Sequence, residues 1–467
     1  MKRILLQITA ALWACSLPAQ IIEAGDERVT EAGNLALTTV KMNVHDGILH
    51  AGADYGGEWT RDISINIWNG VSFIDPKTAE TSLWAVTEKN GKNIGHQYWD
   101  KIIWVRGAYT HYLVSHDSQF LKRAYTCGAN TMAQLEKTVF DSRYGLFMGP
   151  SVFNDGIAGY DIPIYIPARD SDSHVFDHDT KRIKCLSTNV IYYIAYQDLN
   201  AMHRILYGRE NKEFLQKAAA LKARIREVFY KPEEDRFIYL IDQNGTPHDY
   251  QEALGVAYAV LGGIVDRQEG YRVTCKTEKS AFGIPSVVPH FPRFSDEKPG
   301  RHNRLIWPFV SSFYACAALS VGNTADFDKE FYSMATLALD RDKGNRNFYE
   351  IFNPDSGKPD GGWQSGWHWD SCRHQTWSAT GYVAMLLYGV AGIELTSDGI
   401  CFAPYMPESL GTLNIKGLKY AGMDLNISLS GEGSRVRAFR INGKKSNNYC
   451  LPVNLTGVQT VEIELGD

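Results

Sequence analysis

One glutamate stands between large aromatic side chains in the C-terminal half of the chain. Glu350 is flanked by Phe348, Tyr349 and Phe352, and burying a carboxylate among such groups costs free energy unless the carboxylate is paired or used. A stretch rich in glycine and tryptophan follows at 361–370, where the glycines let a ligand approach the backbone closely. Glu350 is therefore a candidate for proton transfer. The candidate ligand contacts in the following stretch are Trp363, Gln364, Trp367 and Trp369.

Two aspartates lie in a loop rich in turn-forming residues, at 149–161. A carboxylic acid at Asp155 or Asp161, shielded by Phe153 and Tyr160, could act as a general acid that complements a glutamate base. The competing interpretation is ordinary turn chemistry, because Asn-Asp-Gly is common in turns. We keep both aspartates as candidate acids and Tyr160 as a candidate substrate contact.

A third cluster precedes a run of helical periodicity near the N-terminus. Glu58, Trp59, Arg61 and Asp62 fall within five residues, which could place a carboxylate and a guanidinium at the mouth of a helix. Arg61 and Asp62 together can hold vicinal sugar hydroxyls, one side chain donating and the other accepting. The alternative is a surface ion pair beside a helix-capping aspartate.

The aromatic content supports a carbohydrate partner. The chain has 11 Trp and 25 Tyr, and the Trp residues concentrate in 59–104 and 363–377. Sugar rings stack their apolar faces on indole while their hydroxyls need polar acceptors. Part of this content must simply be core, and we expect that role for Trp68, Trp84 and Trp377. The net charge of −5 argues against a nucleic-acid partner, which usually requires a basic surface.

The elements that must position these residues are mainly helical. Apolar periodicity recurs from about residue 25 to 392 and predicts about twelve helices of ~11–15 residues joined by long loops. Asp117 or Ser118, and Ser187 or Thr188, are possible helix caps. After residue 392 apolar and polar residues alternate, with a hairpin signal at Asn442-Gly443, which predicts a small antiparallel β module.

The first 19 residues resemble an export signal. Lys2 and Arg3 precede a short apolar run that is too short to span a bilayer. Cleavage before Gln20 would give a soluble exported protein in the periplasm. Cys15 lies in an imperfect lipoprotein box and offers a lipid anchor at the outer membrane or cell surface as the alternative. No other stretch is apolar and long enough to be transmembrane.

Metal and cofactor sites are not indicated. Seven scattered cysteines remain after the first 19 residues, without a Cys-x-x-Cys pair, so we expect buried thiols and at most one disulfide. One further group of histidines and aspartates has no metal-binding spacing and is best read as a solvated loop. Its members are His174, Asp177, His178 and Asp179.

Four motifs in one order resemble the six-hairpin glycosidases, the (α/α)6-barrel clan of glucoamylases, trehalases, processing α-glucosidases and cellobiose-type phosphorylases. They cover about residues 50–390. Tyr349-Glu350 with the Phe-Asn-Pro that follows is the most specific. The other three are Trp59-Thr60-Arg61-Asp62, Phe153-Asn154-Asp155-Gly156 and His302-Asn303 with Trp307-Pro308.

This resemblance implies an (α/α)6 barrel over 20–392 and a C-terminal β module over 393–467. It implies an inverting glycoside hydrolase with Glu350 as the general base. The Asn-Asp-Gly match implies Asp155 as the acid, whereas the segment that carries the acid in glucosidases and trehalases aligns with Asp161. His302, Asn303 and Trp307 would contact substrate, and no cofactor is implied.

A pocket walled by long loops would favour exo action on a chain end, and the likeness to processing glucosidases favours α-linked oligosaccharides or glycans. Inversion places the acid and the base roughly 6.5–9.5 Å apart, with room for a water between them. Three alternatives remain. A glycoside phosphorylase would need a cationic pocket for phosphate, a polysaccharide lyase would need a Tyr or His base with basic residues, and a non-catalytic glycan-binding protein would lack a well-placed carboxylate pair.

Overall fold

The structure is a computed structural model that describes residues 20–154, 160, 180–340, 346–364 and 366–466. Thirteen α-helices lie in these ranges: α1 (Glu27–Met42), α2 (Thr60–Asn66), α3 (Ser72–Ile74), α4 (Pro76–Ala85), α5 (Trp104–Ser115), α6 (Ser118–Thr138), α7 (Leu186–Tyr207), α8 (Lys212–Phe229), α9 (Ala253–Leu261), α10 (Arg267–Lys276), α11 (Pro308–Ser320), α12 (Thr324–Leu339) and α13 (Thr376–Ala384).

The helices form two concentric rings. In the inner ring α2, α5, α7, α9, α11 and α13 each pack against the next, and α13 returns to α2. The outer helices α1, α4, α6, α8, α10 and α12 alternate with them along the chain. A π-helical turn at Ile67–Val71 joins α2 to α3, and another at Met385–Val390 extends α13. The predicted (α/α)6 barrel is confirmed.

The sequence of each helix explains its ring. Helix α9 is apolar on all sides and is buried at every residue except its last, Leu261. This is expected for a helix surrounded by other helices. Helix α6 instead buries one stripe spaced by three and four residues and exposes its charged face. The stripe contains Phe120, Leu121, Ala124, Cys127, Gly128, Thr131, Met132 and Leu135.

Capping residues set most helix starts. Asp117 accepts hydrogen bonds from the first turn of α6, so Asp117 and not Ser118 is the cap of this helix. Pro308 occupies the first turn of α11. Helix α7 differs, because it begins at Leu186 without a side-chain cap. The expected cap Ser187 lies inside the helix and is engaged with Glu252.

Short hairpins link four outer helices to the loops that enter the inner ring. They pair Val44–His45 with Ile48–Leu49, Thr87–Glu88 with Asn93–Ile94, Phe140–Asp141 with Leu146–Phe147, and Tyr230–Lys231 with Arg236–Phe237. The other strands near these loops are Lys184–Cys185, Leu240–Ile241, Pro247–His248, Gln251–Glu252, Val287–Val288, Trp363–Gln364 and Trp367–His368. The loops before α2, α5, α11 and α13 meet at one end of the ring.

The C-terminal module is a six-stranded sheet in the order Ile21–Ala24, Thr412–Tyr420, Met423–Ser430, Val458–Leu465, Val436–Ile441 and Lys444–Lys445. Neighbouring strands are antiparallel except Met423–Ser430 and Val458–Leu465, which run parallel. The first strand lies in the range expected for the barrel, yet it pairs with Thr412–Tyr420. The β module is therefore completed by a strand from the other end of the chain.

A second, three-stranded sheet connects the barrel to this module. It contains Ile393–Leu395, Gly399–Phe402 and Cys450–Pro452, and a disulfide joins Cys401 to Cys450. The other cysteines within the described ranges are free thiols. In the same ranges, no helix combines the length and apolar character needed to cross a membrane.

Candidate active site

A cavity of about 270 Å³ opens at the end of the barrel where these loops meet. It is slightly smaller than the ~300–1,000 Å³ of typical small-molecule sites, which suits one small polar ring. Its lining combines carboxylates, guanidiniums, amides and aromatic rings. The lining residues are Ala51, Tyr55, Trp59, Arg61, Asp62, Gln97, Arg301, Glu350, Gln364, Trp369, Gln375 and Trp377.

Glu350 is a buried carboxylate in this lining. It is 3% exposed, and its backbone amide donates to the carbonyl of Cys372 at 2.9 Å. Its Oε2 accepts from Arg301 Nη2 at 2.6 Å and from the Tyr55 hydroxyl at 3.0 Å. Arg301 also donates to the Tyr55 oxygen at 2.8 Å and to the carbonyl of Gly361 at 3.0 Å. Two donors that are themselves held in place thus fix this carboxylate.

This arrangement leaves one oxygen of Glu350 for chemistry. Both side-chain donors described for Glu350 use Oε2, so Oε1 is the oxygen free to accept a proton from a water in the cavity. Burial raises the pKa of Tyr55, and the nearby Glu350 carboxylate raises it further. Tyr55 therefore stays protonated and keeps donating. The ion pair with Arg301 compensates the cost of burying the charge.

The second charged group in the cavity belongs to the start of α2. Arg61 Nη2 lies 3.6 Å from Asp62 Oδ2, and Arg61 Nη1 lies 3.5 Å from Asp100 Oδ2. The guanidinium also sits 5.2 Å from the centre of the Trp377 ring, a cation–π geometry. Asp62 is in the first turn of its helix, where a negative charge is favourable. Of the four residues predicted for this cluster, Trp59, Arg61 and Asp62 line the cavity.

Arg61 links the cavity to the aspartate-containing loop. Its Nη1 donates to the carbonyl of Val152 at 3.2 Å, and Trp99 Nε1 donates to the carbonyl of Asn154 at 3.1 Å. Asp155 and Asp161 lie outside the described residues. The chain is thus held beside the cavity up to the residue that precedes Asp155.

The same loop is tied to the barrel through a buried glutamate. The amide of Val152 donates to Ser187 Oγ at 3.2 Å, and Ser187 donates to Glu252 from its hydroxyl at 2.5 Å and its amide at 3.1 Å. Burial raises the pKa of Glu252 to about 8, while the bonds from Ser187 lower it. Sequence reasoning missed Glu252, because a glutamate before an apolar helix carries no distinctive signal.

Tyr160 is buried and does not line the cavity. Its hydroxyl accepts from the amide of Ser151 at 2.9 Å, and its carbonyl accepts from Arg293. The ring lies 6.0 Å from that of Tyr239. The side chain of Tyr160 therefore packs into the core and supports the loop backbone at Ser151.

Three further predicted contacts form a layer beneath the cavity. Trp307 is fully buried and its Nε1 donates to the carbonyl of Arg301 at 2.9 Å. The ring of His302 stacks on Trp307 at 5.1 Å, and Asn303 Oδ1 accepts from the amide of Phe291 at 3.0 Å. Trp307 thus holds Arg301, whose guanidinium also lies 5.4 Å from the centre of the Trp307 ring. Arg301 was outside the predicted set although it directly precedes His302.

The predicted tryptophans divide between the mouth of the cavity and its surroundings. Trp59 and Trp369 line the mouth and are 43% and 45% exposed. Trp363 lies outside the lining, 5.1 Å from Lys298 Nζ, and Trp367 is exposed. Glu58 is half-buried and also outside the lining.

Glutamine amides and one buried indole complete the wall. Trp377, expected as core, is 2% exposed yet contacts the cavity. With its amide oriented to satisfy both neighbours, Gln375 accepts from Trp377 Nε1 at 3.1 Å and donates to the carbonyl of Ala51 at 3.1 Å. The oxygen of Gln364 is buried and has no hydrogen-bond donor among the described residues, so a ligand hydroxyl would satisfy it.

No cluster of three metal-binding side chains occurs in the part of the chain that the structure describes. The histidine and aspartate group at 174–179 lies outside that part.

A double ring of twelve helices with its buried glutamate in an indole-lined cavity at one end defines a glycoside hydrolase of the six-hairpin class. The family model of the mannosylglycerate hydrolase MGH1-like glycoside hydrolase domain matches residues 74–378. The chain belongs to this family, and its substrate is a carbohydrate.

Solved structures share the fold. A GH63 mannosylglycerate hydrolase from Thermus thermophilus in complex with glucose is similar at a TM-score of 0.60 and 15% identity, over 76% of this chain and 100% of that one. A sialidase is similar at 0.69 and 15% identity, over 92% of this chain and 40% of that one.

A GH78 family rhamnosidase of a Bacillus species is similar at a TM-score of 0.63 and 15% identity, over 96% of this chain and 44% of that one. The chain thus spans less than half of the sialidase and the rhamnosidase. A comparison with proteins of curated function gave no match.

Proposed function

We propose that the enzyme is an exported, inverting, exo-acting hydrolase of α-linked oligosaccharides or glycans, with Glu350 as general base and Asp155 as general acid. The observation that carries the proposal is the placement of Glu350. One of its oxygens is held by Arg301 and Tyr55 inside the cavity, and the other is left to activate water.

In the proposed reaction the acid protonates the oxygen of the leaving group. Water attacks the anomeric carbon from the opposite face and gives its proton to Oε1 of Glu350. The guanidinium of Arg301 and the hydroxyl of Tyr55 keep the carboxylate oriented during this step. Inverting enzymes need roughly 6.5–9.5 Å between the two carboxyl groups, because the water must fit between them.

Asp155 is preferred over Asp161 as the acid. In support, the described residues before Asp155 are anchored at the cavity, through Val152 to Arg61 and through Asn154 to Trp99. Asp161 follows Tyr160, whose side chain points into the core. Both aspartates enter the test.

Exo action is supported by the size of the cavity, which suits one terminal ring. The α-linkage rests on the resemblance of the Tyr349-Glu350 segment to that of processing α-glucosidases. The test therefore uses a panel of α-linked oligosaccharides. The panel also includes mannosylglycerate and rhamnosides, because the matched family is named for mannosylglycerate hydrolase and one similar structure is a rhamnosidase.

The test compares the wild-type enzyme with Glu350→Gln, Asp155→Asn and Asp161→Asn on this panel, with the anomer of the released sugar followed by NMR. We expect an inverted product and a loss of kcat of ~10²–10⁴-fold for Glu350→Gln and one of the two asparagine variants. Glu394→Gln, at an exposed position of the small sheet, is the matched control and should retain activity. A retained anomer, or a fully active Glu350→Gln variant, would refute the mechanism.

A glycoside phosphorylase is the second candidate, and the charges of the cavity argue against it. Arg61 and Arg301 are both ion-paired to carboxylates, so their charge is already compensated when a phosphate would arrive. Phosphate added to the assay should therefore leave the rate unchanged and yield no sugar phosphate.

The export proposal rests on residues 1–19, which lie outside the described residues. It is supported by the anchoring of Gln20, whose side chain donates to the carbonyls of Ile74 at 3.1 Å and Gly417 at 3.2 Å. We expect a mature N-terminus at Gln20 when the chain is expressed in a bacterium. Acylation at Cys15, detected by mass spectrometry, would instead establish the lipoprotein alternative.

A further inference from the structure

A short hairpin at the mouth of the cavity presents its two faces differently. Trp363–Gln364 pairs with Trp367–His368, with Gln364 opposite Trp367 and Trp363 opposite His368. Side chains of directly opposed residues lie on the same face of a strand pair. Because Gln364 lines the cavity, Trp367 lies on the cavity-facing side of the hairpin.

The two indoles of the hairpin have different surroundings. Trp363, on the far face, contacts the ring of His368 at 5.6 Å and lies 5.1 Å from Lys298 Nζ. Trp367 is 71% exposed, more than any other large hydrophobic residue in the described ranges. No ring or hydrogen-bond contact of its side chain is described. The fold therefore gains little from this indole, and its ring is left accessible to a ligand.

The hairpin is held firmly enough to present that indole. His368 Nε2 lies 2.9 Å from Asp360 Oδ1, which also accepts from the amide of Gly362 at 2.9 Å. Trp369 Nε1 donates to the carbonyl of Gln364 at 3.2 Å. The base of the hairpin is thus fixed by the same segment that lines the cavity.

The cavity-facing side of the hairpin continues the cavity wall, and its side chains indicate the kind of ligand that would bind there. Gln364 offers a buried oxygen that has no donor among the described residues, and Trp369 forms an exposed part of the mouth. Trp367 adds an indole on the same face, directly across the hairpin from Gln364. A ligand that runs from the cavity onto this face meets first a hydrogen-bond acceptor and then a flat apolar surface, the combination that a sugar ring recognises.

We propose that this hairpin forms a second sugar subsite, in which Trp367 stacks on the ring that follows the one held in the cavity and Gln364 accepts from a hydroxyl near their junction. The inference rests on the proposed hydrolase function and specifies its substrate class. The preferred substrate is an oligosaccharide whose leaving group is itself a sugar ring, rather than a glycoside of a small alcohol.

The test uses Trp367→Ala, Trp367→Phe and, as the matched control, Tyr207→Ala, an aromatic residue 54% exposed on α7. The probes are α-glucosyl and α-mannosyl fluorides, which have no second ring, and α-linked gluco- and manno-oligosaccharides of two to four rings. For Trp367→Ala we expect kcat/KM on the oligosaccharides to fall about fivefold to tenfold more than on the fluorides, mainly through KM. Trp367→Phe should restore most of the difference, and Tyr207→Ala should show none.

An equal loss on fluorides and oligosaccharides would overturn the proposal, because Trp367 would then act through the shape of the cavity. Absence of any loss would also overturn it. Calorimetric binding of the oligosaccharides to Glu350→Gln, with and without Trp367→Ala, separates the subsite from catalysis. If the wild-type enzyme releases no sugar, the hydrolase proposal fails, yet weaker binding caused by Trp367→Ala still supports the subsite and unchanged binding refutes it.

Discussion

Replacing the buried Glu252 by glutamine should change how the stability of this enzyme depends on pH. Glu252 is 1% exposed at the start of α9, and its described donors are the amide and hydroxyl of Ser187. Burial raises the pKa of its carboxyl from the ordinary 4.5 to about 8, with the bonds from Ser187 acting in the opposite direction. The folded protein therefore keeps this proton well above the pH at which the unfolded chain releases it.

The sign and the size of the effect follow from this difference. Below pH 4.5 both states hold the proton, and above pH 8 both have lost it. Between these values the unfolded chain binds fewer protons, so the free energy of unfolding falls by about 1.4 kcal/mol for each pH unit. Over the whole interval the carboxyl of Glu252 lowers stability by about 5 kcal/mol at most.

Glutamine removes this titration and keeps an oxygen that can accept from Ser187. We expect Glu252→Gln to be less stable than the wild type at pH 5, because its amide brings extra donors into the core, and to approach or exceed the wild type at pH 9. The assay is urea unfolding followed by tryptophan fluorescence from pH 5 to pH 9.

Among the residues that the structure describes, two other buried carboxyls titrate in this range, which is why the difference between the two proteins is the quantity to measure. Burial raises the pKa of Asp198 to about 6 and that of Glu330 to about 7, but both groups are present in the wild type and the variant. A difference in unfolding free energy that stays constant from pH 5 to pH 9 would refute the reasoning and show that Glu252 is ionised throughout.

Three further substitutions test the packing around the site and the β module. Arg301→Met should destabilise the enzyme by ~3–5 kcal/mol in urea unfolding, because it leaves a buried carboxylate without its cation, whereas Arg301→Lys should lose less stability. Removing the Cys401–Cys450 disulfide, which spans 49 residues, should lower the free energy of unfolding by about 4 kcal/mol in the chain-entropy model. Reductant should lower the unfolding free energy of the wild type by this amount and should leave that of the double serine variant unchanged. Gly361→Ala should abolish activity while the helical circular dichroism persists, because the added Cβ would lie 2.2 Å from the carbonyl oxygen of Trp369.

The sequence alone predicted the fold class. Apolar periodicity predicts a helical chain followed by a β module, since the period of burial differs between the two kinds of element. The motifs around Trp59 and Glu350 resemble those of six-hairpin glycosidases, and both residues line the cavity. Local signals of this kind survive in the sequence because each depends on a few neighbouring residues.

The tertiary structure decided which residues near each motif face the cavity. Arg301 lines it, whereas His302 and Trp307 lie beneath it, because the direction of a loop side chain depends on what packs behind the loop. Tyr55 carries no sequence signal. It donates to Glu350 only because the fold brings together two loops that are nearly 300 residues apart in the chain.

The same holds for the β module and for the buried Glu252. Strand Ile21–Ala24 joins the C-terminal sheet because the edge of Thr412–Tyr420 is open to it, a pairing between the two ends of the chain that no local pattern encodes. Glu252 reads as an ordinary polar residue before a helix. Only the closed ring of helices removes it from water, and the removal of water is what raises its pKa.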